Sequence, residues 1–344
     1  MRVVVTGATG NAGTSVVKAL AADRAITDVL GVARRRPDLR IPGVRWAEVD
    51  IDPGRADLTE VLAGADAVVH LAWKFQPTHD PVTTWRTNVL GSIGVFEACA
   101  RAGVRALVHA SSIGAYSPGP ADGRPVDESW PTHGWPGAAY TREKAYLERY
   151  LDGFRLAHPG LRVVRLRPAF LFKEGAASEQ RRIFAGPLLP WRMIRPGLLP
   201  AVPAVTGLRF QALHTDDAAE AYRAAVVRPV HGPFNLVADP VLDTAAVAAL
   251  LHSRTVPLPA GAARAVLAAA WRMHLVPATP GLLDAVLRLP LLDAGRARDE
   301  LGWTPKATAT EAVAAFIEGL HRGAGLDTPP LAPARAGAGR HHRA

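Results

Sequence analysis

A glycine-rich turn only six residues into the chain restricts the fold more than any other feature. A β-branched run at 2–6 is followed by the letters TGATGNAG, and residues 14–22 predict a helix. Gly7 permits a tight turn off the strand, Gly10 lets backbone amides approach a pyrophosphate, and Gly13 lets the helix pack closely on the sheet. Because a helix start offers unpaired N–H groups to an anion, this unit predicts a dinucleotide-binding site, the alternative being a structural turn.

Strands and helices alternate along the first half of the chain. The apolar runs are nearly continuous, which is typical of parallel strands covered on both faces. Strands are predicted at 2–6, 28–33, 44–50, 66–72, 105–111 and 161–167, and helices at 14–22, 57–63, 83–102, 138–158, 215–228 and 243–252. We therefore predict an α/β fold: a Rossmann doubly wound parallel sheet with a smaller C-terminal substrate-binding region.

The alternation breaks after residue 168, which suggests a domain boundary. The expected units are an NAD(P)-binding Rossmann domain at 1–168 to which 208–228 returns, a substrate-binding region at 169–207 and 229–325, and a disordered tail at 326–344. Residues 173–207 are rich in Pro, Gly, Leu and Trp, including Leu188, Leu189 and Trp191. This segment predicts a substrate-covering element, the alternative being a packed surface loop.

Composition limits the classes of binding partner that the chain is expected to have. Lys+Arg exceed Asp+Glu by 40 − 31 = 9, but the arginines are spread along the chain, which favours a solvated surface over a nucleic-acid face. Cys99 is the single cysteine and the pair His341-His342 is too short for a metal site, so we expect no disulfide framework and no metal. No apolar run approaches the roughly 18 residues that span a bilayer. The default expectation is a cytoplasmic protein that contacts neither membrane nor nucleic acid.

The second and third strands end in residues suited to the adenosine half of the cofactor. Ala33 stands where an NAD site has a carboxylate, and Arg34 and Arg35 follow. An arginine there can pair with a 2′-phosphate and stack on adenine, which favours NADP over NAD; the alternative is a solvated side chain. Asp50-Ile51 closes the third strand, where the carboxylate can accept from the adenine amino group; otherwise Asp50 caps a helix.

A second group of residues is suited to proton transfer. Tyr140 and Lys144 are four apart on one helix, so they share a face, and the lysine charge is expected to lower the pKa of the phenol. Ser112 follows the fifth strand, where it can orient a reacting oxygen against Tyr140. Asn88 can order a water that passes protons from Lys144, or it is a packing amide. His70 and His109 fall on buried strands and are expected to be core histidines.

With these residues assembled, the chain resembles an extended short-chain dehydrogenase/reductase of the NAD-dependent epimerase/dehydratase family. The resemblance rests on Thr6–Gly13, Asp50-Ile51, His70-Leu71-Ala72, Asn88, Ser112, Tyr140, Lys144, Arg167-Pro168, His214–Ala218 and Leu301–Pro305. It implies that Thr9, Asn11, Ala12, Leu71, Ala72, Trp73, Ser111 and Pro168 belong to the cofactor site, together with Tyr140 and Lys144. It also implies a possible homodimer through the helices at 83–102 and 138–158.

Departures from the family pattern narrow the activity. Ile113-Gly114 follows Ser112 where the resembling sugar-nucleotide dehydratases carry Asp-Glu. Phe170 and Phe210 stand where the epimerases have an asparagine and an arginine for a diphosphate. We therefore expect hydride transfer between NADP(H) and a small-molecule ketone or secondary alcohol of apolar or aromatic character. The alternatives are a sugar-nucleotide 4-epimerase with tightly bound NAD and a non-catalytic NADP-sensing binder.

Overall fold

A seven-stranded parallel sheet forms the centre of the molecule. The structure, a computed structural model, describes residues 1–186 and 191–334, apart from the side chain of Arg192. Leu188 and Leu189 lie outside the described residues. The strands are β1 (Arg2–Thr6), β2 (Asp28–Ala33), β3 (Val44–Glu48), β4 (Ala67–His70), β5 (Ala106–Ala110), β6 (Arg162–Pro168), β7 (Phe170–Phe172), β8 (Ala201–Val205), β9 (Arg209–His214), β10 (Gly232–Leu236), β11 (Ala238–Asp243) and β12 (Arg254–Leu258).

Helices cover both faces of the sheet and fill the C-terminal region. They are α1 (Asn11–Ala21), α2 (Leu58–Leu62), α3 (Pro81–Trp85), α4 (Gly91–Arg101), α5 (Ala139–Ala157), α6 (Ala177–Gln180), α7 (Thr215–Val227), α8 (Thr244–Leu250), α9 (Ala260–Arg272), α10 (Pro280–Val286), α11 (Gly295–Asp299) and α12 (Ala309–Arg322). A π-helical turn at Arg86–Leu90 joins α3 to α4, so the helix predicted at 83–102 is one continuous but irregular helix. Within the described ranges, no helix is long and apolar enough to cross a membrane.

The strand order places a crevice above the first glycine turn. The order across the sheet is β10-β6-β5-β4-β1-β2-β3, so the chain moves outward from β1 in one direction and then, from β4, in the other. In doubly wound sheets, ligands bind at the carboxyl ends of the strands where this reversal occurs. The predicted Rossmann α/β fold is confirmed, and its switch point lies between β1 and β4.

Two apolar clusters hold the sheet between its helices. Val3 and Val5 face one cluster and Val4 faces the other, because successive side chains of a strand point to opposite faces. The expected core histidines lie on these inner strands: His70 and His109 are both buried. Burial on both faces explains why apolar residues predominate in β1, β4 and β5.

The structure corrects two boundaries of the predicted domains. The sheet gains β10, which pairs in parallel with β6 although 229–325 was expected to lie outside the Rossmann unit. Conversely, β9 lies in a separate three-stranded sheet with β7 and β11, so only α7 of the segment 208–228 returns, to pack on α1. The remaining strands, β8 and β12, pair with each other in that outer region.

The predicted disordered tail is wrong over its first nine residues. Residues 326–334 are described and ordered against the body of the protein, with Thr328 and Leu331 buried. The turn is closed by a hydrogen bond from the Leu326 amide to the Leu331 carbonyl, 2.8 Å long. Residues 335–344, which include His341 and His342, lie outside the described residues.

Candidate active site

The glycine turn has the shape that a pyrophosphate site requires. Gly7 has φ +67°, and a Cβ there would lie 2.6 Å from the Cα of Ala72; a Cβ on Gly13 would lie 2.2 Å from the Gly7 carbonyl oxygen. These contacts exclude any side chain at either position. At Gly10, by contrast, the nearest such atom is 3.5 Å away, so the outer surface of the turn is open. The cradle therefore fits a dinucleotide phosphate.

The start of α1 faces this cradle. Gly10 is its N-cap, and among the described residues no side chain caps the helix. The amides of Asn11, Ala12 and Gly13 thus point outward with the positive end of the helix dipole. The Asn11 side chain is engaged elsewhere, because it donates to the Leu171 carbonyl and accepts from Thr215. Asn11 therefore offers its backbone to an anion and uses its amide to hold the cradle against β7 and α7.

The remaining predicted cofactor residues lie around the same crevice. Arg34 and Arg35 are exposed beyond the end of β2 and make no hydrogen bond or ion pair with the described part of the chain. Asp50 accepts from the Asp52 amide at 3.2 Å, so it is not the helix cap that was its alternative, and Ile51 is buried beside it. Leu71, Ala72 and Trp73 are half-buried after β4, Thr9 is buried in the turn, and Pro168 is buried at the end of β6.

Ser112 and Tyr140 meet at the carboxyl end of β5. Both lie against Gly114: a Cβ on this glycine would be 2.8 Å from the Tyr140 ring and 3.4 Å from the Ser112 hydroxyl. The Ser112 oxygen also accepts from the Gly114 amide at 2.9 Å. Burial raises the pKa of Tyr140 to about 12, against the lowering effect of its hydrogen bond with Ser112. The phenol is therefore held in its protonated form across neutral pH.

Lys144 lies one turn further along α5, but it does not act on Tyr140 as expected. Its ammonium donates to the Ala110 carbonyl at 2.7 Å and lies 3.5 Å from the centre of the Trp73 ring. The distance from the ammonium to the centre of the Tyr140 ring is 6.0 Å. The predicted lowering of the phenol's pKa by Lys144 is thus wrong for this arrangement. Burial lowers the pKa of Lys144 itself to about 7, although Glu143 and Glu148 oppose it.

Asn88 is a framework amide in this structure. Its carbonyl oxygen accepts from the Lys74 amide at 2.7 Å, and its amide nitrogen donates to the Lys74 carbonyl and to Glu143. Both N–H donors are therefore used within the protein, which favours the packing alternative over the water-ordering role. Glu143 is buried, and its pKa is raised by burial despite hydrogen bonds from Asn88 and Thr84. Together these residues fix the loop after β4.

That loop supplies an aromatic wall that the sequence analysis missed. The Phe75 ring stacks on Tyr140 with centres 5.4 Å apart and 17° between the planes. Trp73 meets Tyr140 edge to face at 5.7 Å, and Phe184 meets Phe75 at 5.6 Å. Phe75 and Phe184 are each more than a third exposed, so the wall presents apolar surface beside Tyr140. The only sequence signal was the cluster of aromatics that follows β4.

A buried ionic cluster supports the site from below. Glu148 accepts from Arg167 through both carboxylate oxygens, at 2.9 and 2.8 Å, and from Arg165 at 2.9 Å. Burial alone would raise the pKa of Glu148, but the hydrogen bonds and charges of these arginines lower it to about 2. Ser111, predicted to bind cofactor, instead donates its hydroxyl to Glu148. The spacing of four from Lys144 to Glu148 was the signal available in the sequence.

Comparison with known proteins agrees with this architecture. Residues 3–236 match the model of the NAD dependent epimerase/dehydratase family. An uncharacterized protein of Mycobacterium bovis is 27% identical over 95% of this chain, and the chain spans only 31% of that relative's length. The L-arabinose 1-dehydrogenase (NAD(P)(+)) of Haloferax volcanii is 36% identical over 111 residues, 32% of this chain and 41% of that protein.

Solved structures agree on the fold. The UDP-glucose 4-epimerase of Thermus thermophilus, in complex with NAD, superposes with a TM-score of 0.68 at 23% identity, over 93% of this chain and 99% of that one. The fold and the glycine turn define an α/β protein of the extended short-chain dehydrogenase/reductase type. The chain belongs to the NAD dependent epimerase/dehydratase family, as its sequence motifs indicated.

Proposed function

We propose that this protein is an NADP-dependent oxidoreductase that interconverts a ketone and a secondary alcohol of apolar or aromatic character. The observation that carries the proposal is the Ser112–Tyr140 pair beneath the wall formed by Trp73, Phe75 and Phe184. The two hydroxyl groups supply polar contacts to one reacting oxygen, while the wall excludes water and favours an apolar substituent beside it. The name of the Haloferax relative is consistent with net redox chemistry on NAD(P).

The residues divide the work of the reduction as follows. When bound, the reduced nicotinamide supplies the hydride that forms the new C–H bond at the carbonyl carbon. Tyr140 donates its proton to the carbonyl oxygen as the C=O π bond breaks, and Ser112 holds that oxygen by a hydrogen bond. Lys144, whose ammonium lies beside Trp73 and donates to the Ala110 carbonyl at the end of β5, is suited to hold the nicotinamide ribose. Oxidation of the alcohol is the same path in reverse.

Two aromatic residues argue against the sugar-nucleotide epimerase alternative. Phe170 and Phe210 occupy the positions where the resembling epimerases grip a diphosphate, and their rings pack edge to face with centres 5.9 Å apart. The guanidinium of the neighbouring Arg209 lies against Gly123 instead. An edge-to-face aromatic pair offers no donor to a diphosphate, whereas it suits an apolar substrate. The sensor alternative would have no need for the retained Ser112–Tyr140 contact.

The arginines beyond β2 support NADP over NAD. Arg34 and Arg35 lie at the end of β2, where the adenosine ribose is expected. Neither has an ion-pair partner among the described residues. A charge-assisted hydrogen bond from arginine to a 2′-phosphate contributes about 1.5–3 kcal/mol. Arg34→Asp should therefore weaken NADP roughly 10- to 100-fold while changing NAD much less. The matched control is Arg36→Asp, the same charge change on an exposed neighbour.

The decisive experiment combines turnover with direct binding. A panel of aromatic, aliphatic and sugar-nucleotide substrates is assayed by NADPH oxidation and, in parallel, by NAD-dependent epimerisation. Tyr140→Phe should reduce the turnover of the best ketone by roughly 10²- to 10⁴-fold and leave the Kd for NADP within twofold. Tyr150→Phe, on the same helix but hydrogen-bonded to Glu97, serves as the control. Full activity of Tyr140→Phe, or epimerisation without external cofactor, would contradict the proposal.

We also propose a homodimer through one exposed face of α3, the π-helical turn and α5. Val82, Leu90 and Tyr146 are 75%, 45% and 45% exposed there, and Trp85 packs edge to face on Tyr146. Exposed apolar groups clustered in this way are typical of an interface. Tyr146→Glu should shift the mass in light scattering from dimer to monomer. Val266→Glu, an exposed apolar position on α9, should leave the mass unchanged.

A further inference from the structure

The segment that follows α12 is bound to two parts of the active-site crevice. We name residues 323–334 the C-terminal brace. It is internally closed, because the amide of Leu331 donates to the Thr328 carbonyl at 3.1 Å and the amide of Ala334 donates to the Gly323 carbonyl at 3.0 Å. Leu331 is fully buried within it. A segment this short adopts one conformation only when such contacts outweigh the entropy of ordering it.

One end of the brace holds the phosphate cradle. The Thr328 hydroxyl, which is buried, donates to the Thr9 carbonyl at 2.9 Å. The N–H of the same peptide unit, that of Gly10, donates to the Gly7 carbonyl at 3.2 Å. The Thr9–Gly10 peptide is therefore fixed from both sides, and its plane sets the direction of the amides that follow it at the start of α1. Thr328 controls that plane from 319 residues away in the chain.

The other end of the brace holds the aromatic wall. The guanidinium of Arg182 donates to the carbonyls of Pro330 and Ala332, at 2.6 and 2.9 Å. Arg182 lies in a π-helical turn, Arg181–Ala185, which also carries Phe184. Since Phe184 packs on Phe75, the brace is connected both to the cradle and to the wall around Tyr140.

We propose that Thr328 is a positioning residue for dinucleotide binding and that the brace couples the phosphate cradle to the aromatic wall. Thr328 touches no reacting atom; it orients the Thr9–Gly10 peptide so that the amides of Asn11 to Gly13 converge on the pyrophosphate. Through its hydrogen bonds to the Pro330 and Ala332 carbonyls, Arg182 links the brace to the π-helical turn that positions Phe184. The inference rests on the proposed function only in needing a bound dinucleotide, and it holds for NADP and NAD alike.

The first test is direct binding of NADP and of NAD by calorimetry. Thr328→Val removes the hydroxyl and keeps the shape, so the Kd should rise about three- to tenfold, the effect of one neutral hydrogen bond. Thr328→Ser should restore the Kd to within twofold of the wild type. The matched control is Thr27→Val, because Thr27 also donates to a backbone carbonyl, that of Met1, at the opposite end of β1. Unchanged Kd values for Thr328→Val would overturn the inference.

The second test is a double-mutant cycle, which keeps the inference testable even where Thr328→Val loses stability. Arg182→Gln, at an exposed position, should raise the Kd for the dinucleotide and the KM for the ketone while kcat changes less than twofold. The effects of Arg182→Gln and Thr328→Val should be non-additive, because one brace carries both. Strict additivity would overturn the coupling. If the wild type binds NAD as tightly as NADP, and both Kd values still rise in Thr328→Val, the proposed cofactor is refuted and the role of the brace is supported.

Discussion

Two neighbouring turns of α5 bury ionisable groups in opposite ways. The first turn runs from Tyr140 to Lys144, and burial shifts the pKa of each toward the neutral form, to about 12 and about 7. The next carries Glu148, whose pKa is lowered to about 2 by the buried arginines that pair with it. The difference is the presence of counter-charges, since burial disfavours the charged form of all three groups.

Ion pairing distinguishes Glu148, a structural group, from Tyr140 and Lys144, the groups proposed to act on the substrate and cofactor. The pKa of Tyr140 and that of Lys144 are each shifted toward the neutral form, because burial outweighs the opposing effects of Ser112 on the phenol and of Glu143 and Glu148 on the lysine. Glu148 is held ionised by Arg165 and Arg167, so it is stable against protonation and holds Ser111 and β6 in place. The same helix thus carries the two residues proposed to act on the substrate and, one turn later, the carboxylate of a buried ionic cluster that holds β6.

The largest expected effect on stability comes from removing the charge of Glu148, which forms ion pairs with Arg165 and Arg167. Glu148→Gln leaves two buried guanidinium groups without a full counter-charge, so the free energy of unfolding should fall by about 3–5 kcal/mol in urea titrations at pH 7. The difference from the wild type should shrink as pH falls from about 4.5 toward 2, where Glu148 itself becomes protonated. Asp152→Asn, at the half-exposed edge of the same cluster, should cost no more than about 1 kcal/mol. A loss below 1 kcal/mol in Glu148→Gln would contradict the comparison.

The turn that carries Lys144 should show its pH dependence in a higher pH range than Glu148 does. The folded-state pKa of Lys144 is about 7 and its ordinary value is 10.5, so between these values the unfolded chain binds a proton that the folded chain does not. Stability should therefore rise with pH, by about 2 kcal/mol between pH 7 and pH 9 relative to Lys144→Met. Urea titrations of both proteins at the two pH values measure this. If the difference in the free energy of unfolding between the wild type and Lys144→Met is the same at pH 7 and at pH 9, Lys144 is not desolvated.

The smallest effect should come from Glu143, a buried carboxylate whose partners are neutral. Glu143→Gln keeps the volume and alters only the hydrogen bonds with Thr84 and Asn88, so the loss should be about 1 kcal/mol. Measured beside Glu148→Gln, it isolates the contribution of the buried counter-charges. Equal losses in the two variants would mean that burial alone, rather than ion pairing, distinguishes the two turns.

The parts of the fold that local sequence controls were predictable. The glycine turn, the strand runs and the spacing of Tyr140 and Lys144 each depend on neighbouring residues. Strand β10 was missed because Gly232, Pro233 and Asn235 are poor strand formers, and pairing with β6 outweighs that preference. The brace was missed for the same reason, since its order depends on Thr9 and Arg182, far away in the chain.

The candidate site, too, was only partly predictable from the sequence. Its residue types and their positions on strand ends followed from the sequence, but the partners of Asn88, Ser111 and Lys144 did not. Those partners are the Lys74 backbone, the Glu148 carboxylate and the Ala110 carbonyl, and each is brought close only by packing. Competition among several possible hydrogen-bond acceptors is decided by distances that a linear pattern does not contain.

The four-residue repeat of Tyr140, Lys144 and Glu148 makes α5 intolerant of length changes. One residue inserted between 141 and 147 would rotate everything beyond it by about 100°, turning either the phenol away from the crevice or the carboxylate away from its arginines. The tip of the preceding loop, at 121–125, is mostly exposed and is under no such angular restriction. Natural variation and engineered insertions should therefore accumulate in that loop, while the register of the helix is kept.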